Sequence, residues 1–453
     1  MTEGLGVISG VLEGVVNWAT LLTVGLGVSY FLTCLGAGML ELRAHHRNRE
    51  SAGPATRRPM DEHLYFLVPC LNESLVIGRT VGALLRTPNC TVVVIDDGSD
   101  DDTAAIAAGV GGDRTMIVRR DLPEARQGKG RALNRGFAAV VDDVRRTGRD
   151  PERTFVCVMD ADGRLSEDAW AHVLPLFDDP AVGGVQLAVK IRNTVSLITR
   201  FQDLEFWALS AVSQFGRRRS RTVSLGGNGQ FTRLTALTAL PGDPWSASLT
   251  EDLDLAITLA CAGWSLDCTP GAWVSQQGVT DFPRLIRQRA RWFQGHMTAG
   301  RRLAEIWHNP RVSWLAALEM TVYLSIPWLI VLPWSVLCQV GLVRWVAILT
   351  SGRPLASGAV LLQIVAVLLG YVASFLPLLV SGFLYRSRVR EYGLLRSMVL
   401  CHLMVLWNYV SFIACWQALG RMLRGRVGWD KTARSVEAAT AGEPSVATGG
   451  PQR

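Results

Sequence analysis

The stretch Thr91–Thr103 reads T-V-V-V-I-D-D-G-S-D-D-D-T. Its first half is an unbroken run of β-branched residues, the signature of a strand buried on both faces. Two aspartates, a glycine and a serine then stop it, as turn-forming residues do. The pattern recurs at Thr154–Gly163, T-F-V-C-V-M-D-A-D-G, and two shorter buried strands are read at Leu64–Pro69 and Thr115–Arg119. Helical runs at Leu75–Arg86, Gly130–Val141 and Asp168–Phe177 lie between them. This alternation predicts an α/β domain with a mostly parallel sheet and helices on both faces. In such sheets ligands bind beyond the carboxyl ends of the strands, which is where the aspartates collect.

Composition separates this domain from its flanks. The 453 residues are too many for one core. Apolar residues make up 49% and charged ones only 19%, with a net charge of +7. The mean hydropathy is +0.22. Wholesale disorder and disulfide-rich or collagen-like architectures are excluded. Nine cysteines without a C-x-x-C pair read as buried thiols in a reducing compartment, and no zinc site is expected.

Gly14–Leu40 carries no charge and is long enough to cross a bilayer. Arg43, Arg47, Arg49, Arg57 and Arg58 follow it, which places residue 43 onward on the cytoplasmic side. Further apolar runs cover Val312–Leu349, interrupted by Pro327 and Pro333, then Pro354–Tyr385 and Ser397–Gly420. The expected organisation is a membrane helix in 1–45, a cytosolic domain in 60–300, membrane helices in 312–420, and a basic then disordered tail in 421–453. Two arginine clusters, Arg386–Arg396 and Arg421–Arg434, both favour the cytoplasm although one span separates them. Either one segment is re-entrant or 312–349 is a hairpin bent at its prolines. Within the soluble part, basic amphipathic runs at about 195–218 and 282–308 suit the membrane surface, with plain core packing as the alternative for the first. Nucleic acid is excluded as a partner: no base-stacking sheet or groove helix accompanies the arginines.

Asp160 and Asp162 stand at i and i+2 as their strand ends, so two carboxylates can meet one hard cation; a solvated turn is the alternative. Gln127-Gly128-Lys129-Gly130 puts a cation at a helix start, where phosphate is attracted. Thr250-Glu251-Asp252 opens an apolar helix, and Ser248 with Glu251 also matches a capping box. A carboxylate there can act as general base toward a hydroxyl. Glu319, His402, Asn408 and Gln417, inside apolar runs, read either as a polar path or as helix–helix hydrogen bonds.

V-I-D-D-G-S-D-D-D-T, D-A-D, T-E-D and Gln288-Arg289-Ala290-Arg291-Trp292 occur in that order. The combination resembles the membrane-embedded, processive family-2 glycosyltransferases, the cellulose, chitin, hyaluronan and poly-N-acetylglucosamine synthases, over residues 64 to 300 and the flanking spans. The resemblance implies a GT-A-type cytosolic domain with transmembrane helices, set in the cell membrane as a multi-pass protein. It implies an inverting transfer from a nucleotide sugar, UDP-linked, to a growing β-linked polysaccharide, coupled to export. The non-processive making of a membrane glycolipid is the alternative. Asp97 or Asp96 then matches the nucleoside contact. Asp160 and Asp162 match the pair that meets the donor and a divalent cation, Mg2+ or Mn2+. Asp252, beside Glu251, matches the catalytic base. Lys129, Gln288 and Arg291 match donor-binding groups. Trp292 and the loop residues Asn228, Gly229 and Gln230 match the acceptor side. Partners implied are the nucleotide sugar, a saccharide acceptor, the bilayer, and accessory export proteins or a second copy.

Overall fold

Alternation along the strands builds two cores at once. In β1 (His63–Cys70), Leu64, Phe66 and Val68 point to one face and Tyr65 and Leu67 to the other, and all are buried. Each such side chain contributes about 1.5–3 kcal/mol on burial. β1 pairs in parallel with β2 (Cys90–Asp96) and with β4 (Thr154–Val158), so Leu67 lies between Val93 and Val158. β2 in turn pairs with β3 (Thr115–Arg119). The computed structural model describes residues 2–51, 61–350, 360–389 and 392–426.

Four strands extend the sheet: β5 (Arg164–Leu165), β6 (Val182–Ile191), β7 (Gln230–Arg233) and β8 (Ser265–Gln276). The order is β3-β2-β1-β4-β7-β6-β8-β5, with β7 antiparallel to both β4 and β6. The sheet is therefore mixed, though mostly parallel. Strands β5 to β8 were not marked by the sequence patterns: Gly183 and Gly184 dilute β6, and Pro270 and Gly271 interrupt β8.

The helices, in chain order, begin with α1 (Thr2–Ser51), α2 (Ile77–Leu84), α3 (Thr103–Gly111) and α4 (Lys129–Thr147). Next come α5 (Ala169–Val173), α6 (Leu197–Leu204), α7 (Ala211–Arg217) and α8 (Leu234–Thr238). Then follow α9 (Glu251–Cys261), α10 (Phe282–Ala299) and α11 (Leu303–His308). The last four are α12 (Trp314–Ile326), α13 (Leu332–Thr350), α14 (Val360–Arg388) and α15 (Leu394–Leu423). α2, α3 and α5 cover the Phe66 face, while α4 and α9 cover the Leu67 face. The expected helix over Asp168–Phe177 is only α5 followed by a 3₁₀ turn, because Pro175 denies the ladder a donor. The first amphipathic run folds as α6 and α7 joined by a π-helical turn, Glu205–Ser210.

Among the described residues, three helices are long and apolar enough to cross a membrane: Glu13–Arg47, Trp314–Arg344 and Leu394–Leu423. α12 passes into α13 through a π-helical turn at Pro327–Val331, one continuous rod rather than a hairpin bent at its prolines. The apolar run before Val360, Arg390, and the tail with Lys431, Arg434 and everything from Val436 lie outside the described residues.

The rods are fastened to the domain. α1 crosses α7 with almost no gap: a Cβ on Gly216 would stand 2.2 Å from the Cys34 carbonyl oxygen, and one on Gly38 1.9 Å from that of Val212. Glu319 of α12 accepts from Arg217 Nη2 at 3.1 Å and from Tyr30 Oη at 2.8 Å. His402 meets Tyr371 at 2.6 Å. For both, helix–helix bonding is what the geometry provides, not an open polar path. α15 touches the α/β domain in its middle and near its C-terminal end. Trp407 donates to Glu205 at 3.3 Å and Arg421 to Gln294 at 2.8 Å, while Arg388, just before α15, donates to the Trp207 carbonyl at 3.0 Å.

Candidate active site

The strand ends, the start of α4, the start of α9 and the middle of α10 enclose a cavity of about 430 Å³. Its wall carries Asp97, Lys129, Asp160, Glu251, Asp252, Gln288, Arg291 and Trp292. Residues nearly 200 positions apart meet here because parallel strands aim their carboxyl ends to one side.

Each group is held by identifiable partners. Asp97 is buried against Arg120, whose Nη1 donates to Oδ1 at 2.5 Å. Burial raises its pKa and Arg120 opposes that rise. Lys129 donates to Asp160 Oδ1 at 2.7 Å and to the Gly227 carbonyl at 3.0 Å, with Glu251 3.9 Å away. Burial alone would lower the Lys129 pKa; Asp160, Glu251 and Asp252 together carry it above the ordinary value. The acidic neighbours thus keep a buried ammonium charged.

Glu251 and Asp252 form the acidic first turn of α9. Thr250 is the N-cap residue and makes no capping bond, while Ser248 Oγ accepts from Thr250 N at 3.3 Å. The expected capping box does not form, and the Glu251 carboxylate stays in the cavity. Burial raises both pKa values, and each carboxylate is opposed by Lys129 and Arg291. Asp252 Oδ1 accepts from Leu253 N at 2.7 Å. A Cβ on Gly227 would lie 2.9 Å from Asp252 Oδ2 and 3.1 Å from Lys129 Nζ, at a φ of +64°. Only a glycine lets this backbone close on the pair.

On α10, Arg291 donates to the Leu249 carbonyl at 3.3 Å, and among the described residues no ion pair takes up its charge. Trp292 is fixed from behind. The Arg289 guanidinium lies 4.6 Å from its ring centroid and makes a two-point contact with Glu205, at 3.1 and 2.7 Å. Phe206 meets the same indole edge-on at 6.1 Å. The cavity wall also carries Phe206 of the π-helical turn, Phe215 of α7, Tyr323 of α12 and His296 of α10. Burial lowers His296 to about 4, so it is not an imidazolium at neutral pH.

Five expected site residues do not reach the cavity wall. Asp96 is fully buried and accepts from Arg119 at 3.0 Å and Ser99 N at 2.9 Å. Asp162 is buried behind the wall, its Oδ2 accepting from Gln277 N at 2.9 Å. Asn228 is drawn into the sheet, where Oδ1 accepts from Asp160 N at 3.2 Å and Nδ2 donates to Gln276 at 2.8 Å. Gly229, just before β7, bonds through its backbone to Val158 and Leu187, and the fully buried Gln230 opens β7 between its two antiparallel partners; Leu225 and Gly226 line the wall in their stead. The sequence reading missed Arg120, Glu205, the positioning role of Arg289, and Gly227. Only the unbroken Arg119-Arg120 pair at a strand end offered a signal.

Asp160 is partly open to the cavity and Asp162 follows on the same turn. Among the described residues no group of three or more metal-ligating side chains forms a protein-only cage. Of the two, Asp160 alone presents its carboxylate to the cavity, where a hard oxygen ligand fits a cation that draws its other ligands from a diphosphate and water.

Residues 61–295 match the family model described as glycosyltransferase like family 2. The chain belongs to this family. The GT-A-type fold follows from that membership. The chain is 29% identical over 296 residues to the beta-monoglucosyldiacylglycerol synthase of Trichormus variabilis, covering 62% of this chain and 57% of that protein. It is 29% identical over 241 residues to the poly-beta-1,6-N-acetyl-D-glucosamine synthase of Staphylococcus aureus strain COL, covering 52% and 54%. It thus spans little more than half the length of the curated relatives it matches. Among solved structures, the mannosyltransferase PcManGT from Pyrobaculum calidifontis, in complex with GDP-Man and Mn2+, aligns at 17% identity and a TM-score of 0.48, covering 85% of this chain and 99% of that one.

Proposed function

We propose that this family-2 glycosyltransferase moves a sugar, with inversion, from a UDP-sugar to a hydroxyl presented at the cytoplasmic face of the cell membrane, and that the acceptor is a membrane lipid. The observation that carries this reading is the lining of the cavity. Its charged groups, Asp97, Lys129, Asp160, Asp252 and Arg291, share the wall with Phe206, Phe215 and Trp292 and with Tyr323 of α12, a helix long and apolar enough to cross a membrane. An acceptor with one foot in the bilayer reaches Asp252 from that side.

Asp252 takes the proton from the acceptor hydroxyl as that oxygen bonds to the anomeric carbon. The bond to the diphosphate oxygen breaks in the same displacement, so an α-linked donor yields a β-linked product and UDP. Arg291 and Lys129, with Gln288, receive the diphosphate charge; Asp97 with Arg120 is placed for the nucleoside. Trp292 offers a flat apolar face to a sugar ring. Asp160, on the cavity wall, would hold a divalent cation, Mg2+ or Mn2+, which when bound neutralises the leaving diphosphate.

A second reading, extension of a β-linked glycan, draws on Trp292, whose ring faces the cavity from the QRARW helix. Membranes containing the full chain, given labelled UDP-glucose or UDP-N-acetylglucosamine, separate the two. A chloroform-soluble product carrying one or two sugars supports lipid transfer. A water-soluble ladder of longer chains refutes it in favour of the second reading.

A further inference from the structure

The cavity wall carries a side chain that the transfer step does not use. His296 follows Gln288 and Trp292 at successive steps of four residues on α10, so the three share one face of that helix, and all three line the cavity. A step of four residues advances about 6 Å along a helix, which puts His296 one turn beyond the indole. Its ring is fixed by α12. Pro327 has no N–H to give the Tyr323 carbonyl four residues before it, so that oxygen needs another donor. His296 Nε2 donates to it at 2.8 Å. The Tyr323 and His296 rings also meet, with 4.7 Å between centroids. A carbonyl only accepts, so the proton resides on Nε2 and Nδ1 is left with a lone pair. Burial keeps the imidazole neutral, with a pKa of about 4. Among the described residues nothing donates to Nδ1.

We propose that Nδ1 of His296 accepts a hydrogen bond from a hydroxyl of a sugar already carried by the acceptor, so that the acceptor is an uncharged glycolipid rather than a bare lipid alcohol. The inference rests on the lipid-transfer reading above and narrows it. A lone pair bonds only to a donor. A diacylglycerol offers ester carbonyls, which are acceptors too, and one hydroxyl, which is the group that Asp252 deprotonates. A sugar on the lipid supplies further hydroxyls beside the ring that Trp292 faces. Charge argues against a phosphorylated acceptor: the cations on the wall are Lys129 and Arg291, and both are assigned to the donor diphosphate. His296 is thus a specificity residue, and α12 holds it in the tautomer that the acceptor needs.

The test compares two acceptors, dioleoylglycerol and its monoglucoside, in nanodiscs holding the purified full chain. The donor is UDP-glucose or UDP-N-acetylglucosamine, whichever sustains turnover. The unaltered chain should use the monoglucoside with a kcat/KM about tenfold higher, as expected of one added hydrogen bond to a buried acceptor. His296→Phe keeps a flat ring without either nitrogen and should bring that ratio close to one. His296→Gln can donate to the Tyr323 carbonyl and still present an oxygen, so it should recover part of the ratio. A histidine that serves only to satisfy the Tyr323 carbonyl predicts otherwise: both rates fall together in His296→Phe and the ratio stays where it was. That outcome overturns the proposal, as does equal use of the two acceptors by the unaltered chain, and either leaves lipid transfer standing. A water-soluble glycan in place of any chloroform-soluble product overturns the lipid reading itself, and this proposal with it.

Discussion

Asp252 is asked to be a base inside a cluster that includes Glu251, Asp160 and Lys129. Its raised pKa means that it stays protonated to a higher pH than an ordinary aspartate, near 3.9. A base works only when ionised, so kcat/KM should climb with pH along an acid limb lying above the usual carboxylate range. That limb belongs to the Glu251–Asp252 pair as a unit. Lys129 is the largest influence opposing the rise, so Lys129→Met should move the limb to still higher pH. A limb that stays put or moves down would remove Asp252 from this role. Asp252→Asn should lower kcat by about 10²–10⁴-fold while leaving UDP affinity nearly intact, measured by product release and UDP titration.

Gly227 makes the same point from the backbone. Its φ of +64° and the carboxylate 2.9 Å from where a Cβ would stand leave no room for alanine. Gly227→Ala must push the loop off Lys129 and Asp252. Misplacement by about 1 Å costs on the order of 10²-fold in kcat. Thermal melting should change little, since the loop borders a cavity and not the core. A variant with full activity would show that the close approach has no catalytic value.

At the scale of elements, α10 carries Gln288, Arg291 and Trp292, the proposed donor and acceptor contacts, and Arg289 ties it to the π-helical turn across from it. The Arg289–Glu205 pair is largely buried, with side chains 10% and 23% exposed. Glu205→Ala leaves Arg289 without its carboxylate, a loss on the order of 3 kcal/mol. The consequence should fall on the acceptor: KM for the lipid rises while KM for the UDP-sugar holds, and Glu205→Gln recovers part of the loss. Equal changes in both constants would argue for general unfolding of the interface. None of this could be read from the chain. Buried runs ending in Asp96-Asp97 and Asp160-Ala161-Asp162 announce themselves, because the two-faced parallel strand leaves a local pattern. Glu205 and Arg289 are distant in sequence, and each alone looks like the polar face of an amphipathic helix. Asn228 and Gln230 misled for a related reason: their chemistry suits a sugar, but antiparallel pairing of a short strand, set by partners elsewhere, turned them inward.

The whole molecule raises a question of sidedness that charge alone leaves open. Arg386–Arg396 and Arg421–Arg426 flank α15, and one crossing of the bilayer would separate them. In the structure both flanks rest on the catalytic domain: Arg388 on the π-helical turn, Arg421 on α10. Since α15 meets one domain both in its middle, at Trp407, and near its C-terminal end, at Arg421, the expected arrangement is a re-entrant or surface-lying helix with both clusters on one side of the bilayer. In a background lacking native cysteines, Gly393→Cys, Arg424→Cys and the catalytic-domain reference Asp113→Cys should react alike with a membrane-impermeant maleimide. All three should be labelled in inside-out vesicles and protected in right-side-out ones. If Gly393 and Arg424 label from opposite sides, α15 crosses the bilayer and its contacts with Glu205 and Gln294 cannot hold together.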